Sequence, residues 1–289
     1  ESRFWIYSTP MNFDTLVIQL LNGLVFSLLL FLMAAGLSLI LGLMDVVNLA
    51  HGAFYLLGGY VGLSMIRWLG NFWLALLIAP LVAGAIGLLL QILFLRRLQS
   101  RHLDQVLFTF GLALIAADLM RWNWGAYVES VSPPPQLSGA VFILGNQFPI
   151  YRLSLIAFGV LMAAALILLM ERTRIGATVR AGVSDAELVS GLGIDIDRVF
   201  AGVFVLGTAL AALAGVAAGP VTSLYPGLDF EILILALVVV VIGGLGTLRG
   251  ALLGAVLVGM TDTIGKAVIP EFSLFVIFAL MAIVLLVRP

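Results

Sequence analysis

Three polar side chains stand at three-residue intervals in a greasy stretch: Asp45, Asn48 and His51, within Asp45-Val46-Val47-Asn48-Leu49-Ala50-His51-Gly52. A carboxylate, an amide and an imidazole can hold a small polar molecule, and histidine can pass a proton near neutral pH. They lie inside mostly apolar sequence running from Thr15 to Ile66. At membrane depth such groups cost about 1–3 kcal/mol each. They persist where they face protein, a partner or a watery cavity, so the segment points to a transport pathway. The structural alternative is that they cap a broken helix or bind a partner, since Asn and Asp satisfy free backbone groups at breaks. Thr109 and Phe110, just before Gly111 in another apolar run, are a second candidate contact with such a pathway, against a packing role. A proton relay would need further ionisable partners in the spans, and few exist.

Of the 289 residues 63% are hydrophobic and 10% charged, against about 25% charged in soluble domains. The chain is therefore an integral membrane protein with almost no soluble mass. Cysteine is absent, which excludes disulfides, iron–sulfur ligation and thiol catalysis. Two histidines, His51 and His102, are too few for an ordinary metal site. A net charge of −1 offers no basic surface for nucleic acid. No catalytic constellation, metal site or bound cofactor is expected. The chain starts on Glu1 and its front lacks a basic segment before a short apolar core, so a trimmed chain without a signal peptide is expected.

Spanning helices need about 20 apolar residues. Runs of that kind occur near Leu16–Leu32, Phe72–Leu95, Leu103–Met120, Arg152–Met170, Phe200–Gly219, Ala251–Ala267 and Phe272–Val287. Gly36–Ile66 reads as a short half-helix, a break near Asp45–Asn48 and a full span. Ile232–Leu245 is short for a crossing and ends in Gly243-Gly244-Leu245-Gly246. The fold expected is all-α: one polytopic membrane domain over residues 1–289, with eight or nine spans, some broken. Two loops are basic, residues 96–101 and 172–198, and belong in the cytoplasm by the positive-inside rule. The loop 121–151 is then external, with Trp122 and Trp124 at its start as interfacial aromatics, and its Pro133-Pro134-Pro135 run precedes a small hairpin. Asp118/Arg121 and Asp262/Lys266 are spaced for local ion pairs. Thr222, Tyr225 and Asp229 fall in an outer loop suited to docking a binding protein.

Between Glu171 and Arg198 a short helix over Ala177–Ser190 is expected, stopped by Gly191 and Gly193. It suits either an interfacial connector or a docking helix for a cytosolic partner.

Two separated segments carry a family resemblance. Gly36 through Ala53, above all Asn48-Leu49-Ala50-His51-Gly52, resembles the signature of inner-membrane permeases of branched-chain amino-acid ABC importers. Arg180-Ala181, Asp185, Gly193-Ile194 and Asp197-Arg198-Val199 are similar to that family's cytoplasmic loop. Gly243-Gly244-Leu245-Gly246 with Gly250-Ala251 and Gly254 is similar to its late glycine-rich segment. The likeness runs from about Leu20 to the C-terminus.

The resemblance implies a multi-pass bacterial inner-membrane subunit, a second homologous permease, two cytosolic ATPase subunits, and a periplasmic or external substrate-binding protein. Membrane lipid surrounds it. The helix near Ala177–Ser190 would then be the coupling helix, with Arg180, Ala181, Asp185, Glu187, Gly193 and Asp197 at the ATPase contact. No phosphate-binding glycine–lysine motif occurs, so ATP would be bound by the partner. Two departures stand out: the external loop with its tryptophans and triple proline, and Asp229 and Glu231 before an aliphatic run where relatives often carry a lysine. Related permeases serve urea, amides, sugars or aromatic carboxylates. Outside the family, the rival is an ion-coupled secondary transporter using Asp45 and His51.

Overall fold

In the computed structural model of the chain, residues 12–44, 47–98 and 101–287 are described. Eleven α-helices and one small hairpin make up their regular structure, apart from short 3-10 turns: α1 Phe13–Met44, α2 His51–Leu69, α3 Phe72–Leu93, α4 His102–Trp124, β1 Ala140–Ile143, β2 Asn146–Pro149, α5 Ile150–Arg172, α6 Arg174–Ser184, α7 Ala186–Gly191, α8 Ile196–Ala218, α9 Leu228–Gly243, α10 Leu248–Val268 and α11 Ser273–Val287. Among these residues seven helices are long and apolar enough to cross a membrane: α1, α3, α4, α5, α8, α10, and α11 with its lead-in from Pro270. The chain is a polytopic all-α membrane protein.

Where the sequence suggests two elements on either side of Gly36, the structure has one. Leu16–Leu32 and the half-helix after Gly36 are a single helix: α1 runs unbroken for 32 residues, about 48 Å at 1.5 Å per residue. Nothing between Leu32 and Gly36 can stop it, because Met33, Ala34 and Ala35 are good helix formers. α1 is apolar on every side and is the buried axis of the bundle, wrapped by α5, α8, α9 and α10. Small residues set how closely its neighbours approach. A methyl added at Gly36 would lie 2.6 Å from the Gly207 carbonyl oxygen of α8, so backbone packs on backbone there.

The two ends of α1 define the two faces. Asn22 accepts a hydrogen bond from Arg152 at the start of α5, beside the hairpin. At the other end Leu43 packs on Gly182 of α6, and Gly42 on Gly246. The N-terminal end of α1 thus lies on the hairpin face, and its C-terminal end on the face carrying the basic loops.

The expected hairpin is present. Ala140 pairs with Pro149 and Ile143 with Asn146, and Leu144 (φ 49°) and Gly145 (φ 80°) form the two-residue turn, both left-handed as such a turn requires. On the basic face the single helix expected over Ala177–Ser190 is instead two, α6 and α7. Asp185 breaks it: its extended backbone ends α6, and its carboxylate accepts the Leu188 N–H at 2.8 Å to start α7. α9 is short but unbroken, and Gly244 (φ 85°) and Gly246 (φ 73°) turn the chain into α10. The expected pairs Asp118–Arg121 (3.8 Å) and Asp262–Lys266 (2.7 Å) both form.

Candidate functional site

α2 does not start at a membrane face. His51, its first residue, is fully buried, and its Nε2 donates to the Met33 carbonyl of α1 at 3.2 Å. Met33 lies eleven residues before the end of α1, or about 16 Å of helix. The chain therefore leaves α1 at the basic face and begins α2 deep in the bundle, with residues 47–50 leading into it. α9 does the reverse. After α8 ends at Ala218 on the hairpin face, residues 219–227 descend, and α9 starts at the level of α2: Gly52 packs on the Asp229 carbonyl. Two helix N-termini, each the positive end of a peptide dipole, thus meet inside the protein.

The polar groups at this junction hold the break in place. Asn48 is buried; its side-chain oxygen accepts the Ala50 N–H at 3.1 Å and its carbonyl accepts the His51 N–H at 3.1 Å. The Thr109 hydroxyl accepts the Leu49 N–H at 3.2 Å, donates to Gln105 O at 2.9 Å within α4, and lies 3.3 Å from Val47 O. Irregular backbone at membrane depth needs such partners, because no lipid atom can replace them. On the α9 side Asp229, 1% exposed, accepts the Gly227 N–H at 3.2 Å.

Some polar capacity at the junction is unspent. Asn48 Nδ2 and His51 Nδ1 are buried without a hydrogen-bond partner. Because His51 Nε2 faces a carbonyl it must carry a proton, which leaves Nδ1 of the neutral ring as a bare acceptor. The junction can thus offer one donor (Asn48) and one acceptor (His51) to a polar visitor, at the known expense of burying unpaired groups. Phe110, 42% exposed, meets Phe230 edge-on with centroids 6.4 Å apart, forming an aromatic rim beside it.

Asn48, His51 and Thr109 are thus brought together, with Phe110 at their margin; Asp45 lies outside the described residues. Sequence reasoning missed Asp229, which was expected in an outer loop but is buried in the first turn of α9. Its signal was present: an acidic residue two positions after Gly227, ahead of an aliphatic run, marks a helix start. The Met33 carbonyl carried no readable signal. Thr222 and Tyr225 do lie in the loop on the hairpin face.

On the basic face Arg180, Ala181, Asp185, Glu187 and Gly193 are exposed. Arg180 lines a cleft of about 530 Å³ with Glu171 and Arg249, which pair at 2.6 Å. Asp185 serves as a cap, and Gly193 (φ 84°) reverses the chain after α7. Asp197 is ion-paired to Arg96 of the other basic loop. Ile175, Leu188 and Leu192 stand well exposed among these polar residues.

A family model described as branched-chain amino acid transport system / permease component matches residues 19–285. The chain belongs to this family. The permease is 29% identical to BraD of Pseudomonas aeruginosa and 28% identical to LivH of Escherichia coli K12, each alignment covering 94% of the chain and 93% of the relative. Both are named high-affinity branched-chain amino acid transport system permease proteins. LivM of Escherichia coli K12, a permease protein of the same named system, is 27% identical over 89% of the chain and 66% of its own length. No solved structure matches the permease.

Proposed function

We propose that this chain is the membrane subunit of an ATP-driven importer for branched-chain or related small amino acids, in the bacterial inner membrane. The observation that carries the reading is the polar junction where α2 and α9 meet, in a chain that matches the permease family from residue 19 to residue 285. The relatives' names supply the substrate class. Asn48, His51 and Thr109, with Asp45 before them and Phe110 at the rim, are the pathway residues. Their free donors and acceptors replace water for a passing polar group, while the apolar surroundings accept an aliphatic side chain.

Energy enters from the basic face, which the positive-inside rule places in the cytoplasm. The protein performs no chemistry and binds no cofactor. Of two cytosolic ATPase subunits, one docks on this chain at α6, α7 and the turn to α8, around Arg180, Ala181, Asp185, Glu187, Gly193 and Asp197. Exposed Ile175, Leu188 and Leu192 give that surface an apolar core, as stable interfaces have. α6 packs on the end of α1 through Gly182 and Leu43, so a push on α6 reaches the helix whose Met33 carbonyl holds His51. A second, homologous permease completes the membrane core, and an external binding protein delivers substrate to the hairpin face.

A mild-detergent pull-down tests the reading. Co-purification of an ATPase and a second permease, with ATP-dependent leucine uptake in proteoliposomes, is the expected result. Uptake by this chain alone without ATP would overturn it in favour of ion coupling through His51.

A further inference from the structure

On the hairpin face, α1, α5, α10 and the loop before α9 enclose a cavity of about 410 Å³, within the ~300–1,000 Å³ range of small-molecule sites. Its lining is chemically divided. Phe26 and Leu29 of α1 form an apolar wall, while Arg152, Asp262 and Lys266 supply charge. Lys266 is committed: it pairs with Asp262 at 2.7 Å and lies 5.7 Å over the Phe26 ring. Arg152 has a neutral partner, the Asn22 side-chain oxygen, and no acidic side chain among the described residues pairs with it. The cavity therefore holds two cations and one anion, with a half-buried guanidinium that spends one N–H on Asn22 and keeps its other donors for a ligand.

Below the cavity, Phe26, Leu29 and Thr222 also line a small void with Tyr55 and Ile232. One turn further along α1 is Met33, whose carbonyl holds His51. The cavity thus stands directly above the polar junction on the same helix.

We propose that this cavity binds a small carboxylate with an apolar body, such as an aliphatic amino acid or a short-chain monocarboxylate. The carboxylate is gripped by Arg152, and the aliphatic part lies on Phe26 and Leu29. A guanidinium matches a carboxylate in two parallel hydrogen bonds, which a lysine cannot reproduce. An α-ammonium, where present, reaches the Asp262 carboxylate, whose second oxygen is not engaged by Lys266. The choice of an amino acid rests on the importer reading; the arginine–carboxylate contact does not.

The test uses the full chain in nanodiscs of phosphatidylcholine. Since cysteine is absent, a Gln19→Cys variant places one thiol at the cavity without touching Arg152. Leucine and isovalerate should each slow its maleimide labelling, and leucinamide, which lacks the carboxylate, should not. Adding Arg152→Gln should weaken protection by about tenfold or more, as loss of a charged hydrogen bond does, and Arg152→Lys should restore it only in part. Absence of protection at millimolar ligand would overturn the site, as would protection that survives Arg152→Gln. Protection by phosphatidylglycerol or inorganic phosphate in place of the carboxylates would reassign the cavity to phosphate groups and also overturn it. If both carboxylates protect while the assembled importer does not take up leucine, the site stands and the amino-acid reading fails.

Discussion

Gly52 offers the sharpest test of the junction. A methyl added there would lie 2.1 Å from the Asp229 carbonyl oxygen, about 0.9 Å short of the closest approach real side chains show, 3.0 Å. The obstacle is backbone at the start of α9, so it cannot rotate aside; α2 must retreat. That movement would stretch the His51–Met33 and Leu49–Thr109 hydrogen bonds, both 3.2 Å, beyond useful length. Overpacking costs about 1–3 kcal/mol, and each buried polar group left unpaired about 1–3 kcal/mol more. Alanine recovers up to ~1 kcal/mol through helix propensity. Gly52→Ala is therefore expected to be destabilised by about 2–8 kcal/mol and to lose most of its uptake. Gly111→Ala is the matched control, because an added methyl there meets nothing within 4 Å; it should gain about 0.5–1 kcal/mol. Thermal unfolding in detergent, followed by tryptophan fluorescence, ranks the two variants, and uptake by the reconstituted importer reads function. A Gly52→Ala protein as stable and active as the parent would refute the packed junction.

Three further outcomes are expected. Thr109→Val, which keeps the shape but removes the hydroxyl that accepts Leu49 N–H, should lower stability by about 1–3 kcal/mol, while Thr109→Ser should stay near the parent in the same unfolding assay. Asp185→Ala should cost about 1 kcal/mol through loss of the α7 cap and speed hydrogen exchange at residues 186–191. Asp185→Asn should restore that protection, so ATPase binding by the Asn variant separates cap from charge. Burial, and then the hydrogen bond to Glu231, push the Tyr225 phenol from its usual value near 10 up to about 12. Its folded pKa is raised, so its contribution to stability is full below pH ~10 and is lost as pH rises towards 12. Tyr225→Phe should flatten the stability profile across that window, and an unchanged slope would remove the role assigned to the phenol.

Much of this protein is legible in the residues alone. Long apolar runs can satisfy their backbone in lipid only as helices, so most helices could be placed from composition. Arginine-rich loops mark one face, and Pro, Gly and the alternation around Val141 mark the hairpin. The run Asp45–Gly52 shows that polar groups enter the apolar interior, and its likeness to one permease family is borne out over nearly the whole chain. Local signals could not say that α1 continues through Gly36, because a helix without a breaker ends where packing permits. Nor could they show that Asp185 splits the basic loop into two helices. The meeting of His51–Gly52 with Asp229 joins residues nearly 180 positions apart, and it depends on glycines that let backbones touch. Asn22, Arg152 and Lys266 come from three helices and look, in sequence, like three unrelated polar residues. Composition and periodicity decided that the chain crosses a membrane; the close approach of distant backbones alone decided where its polar groups converge.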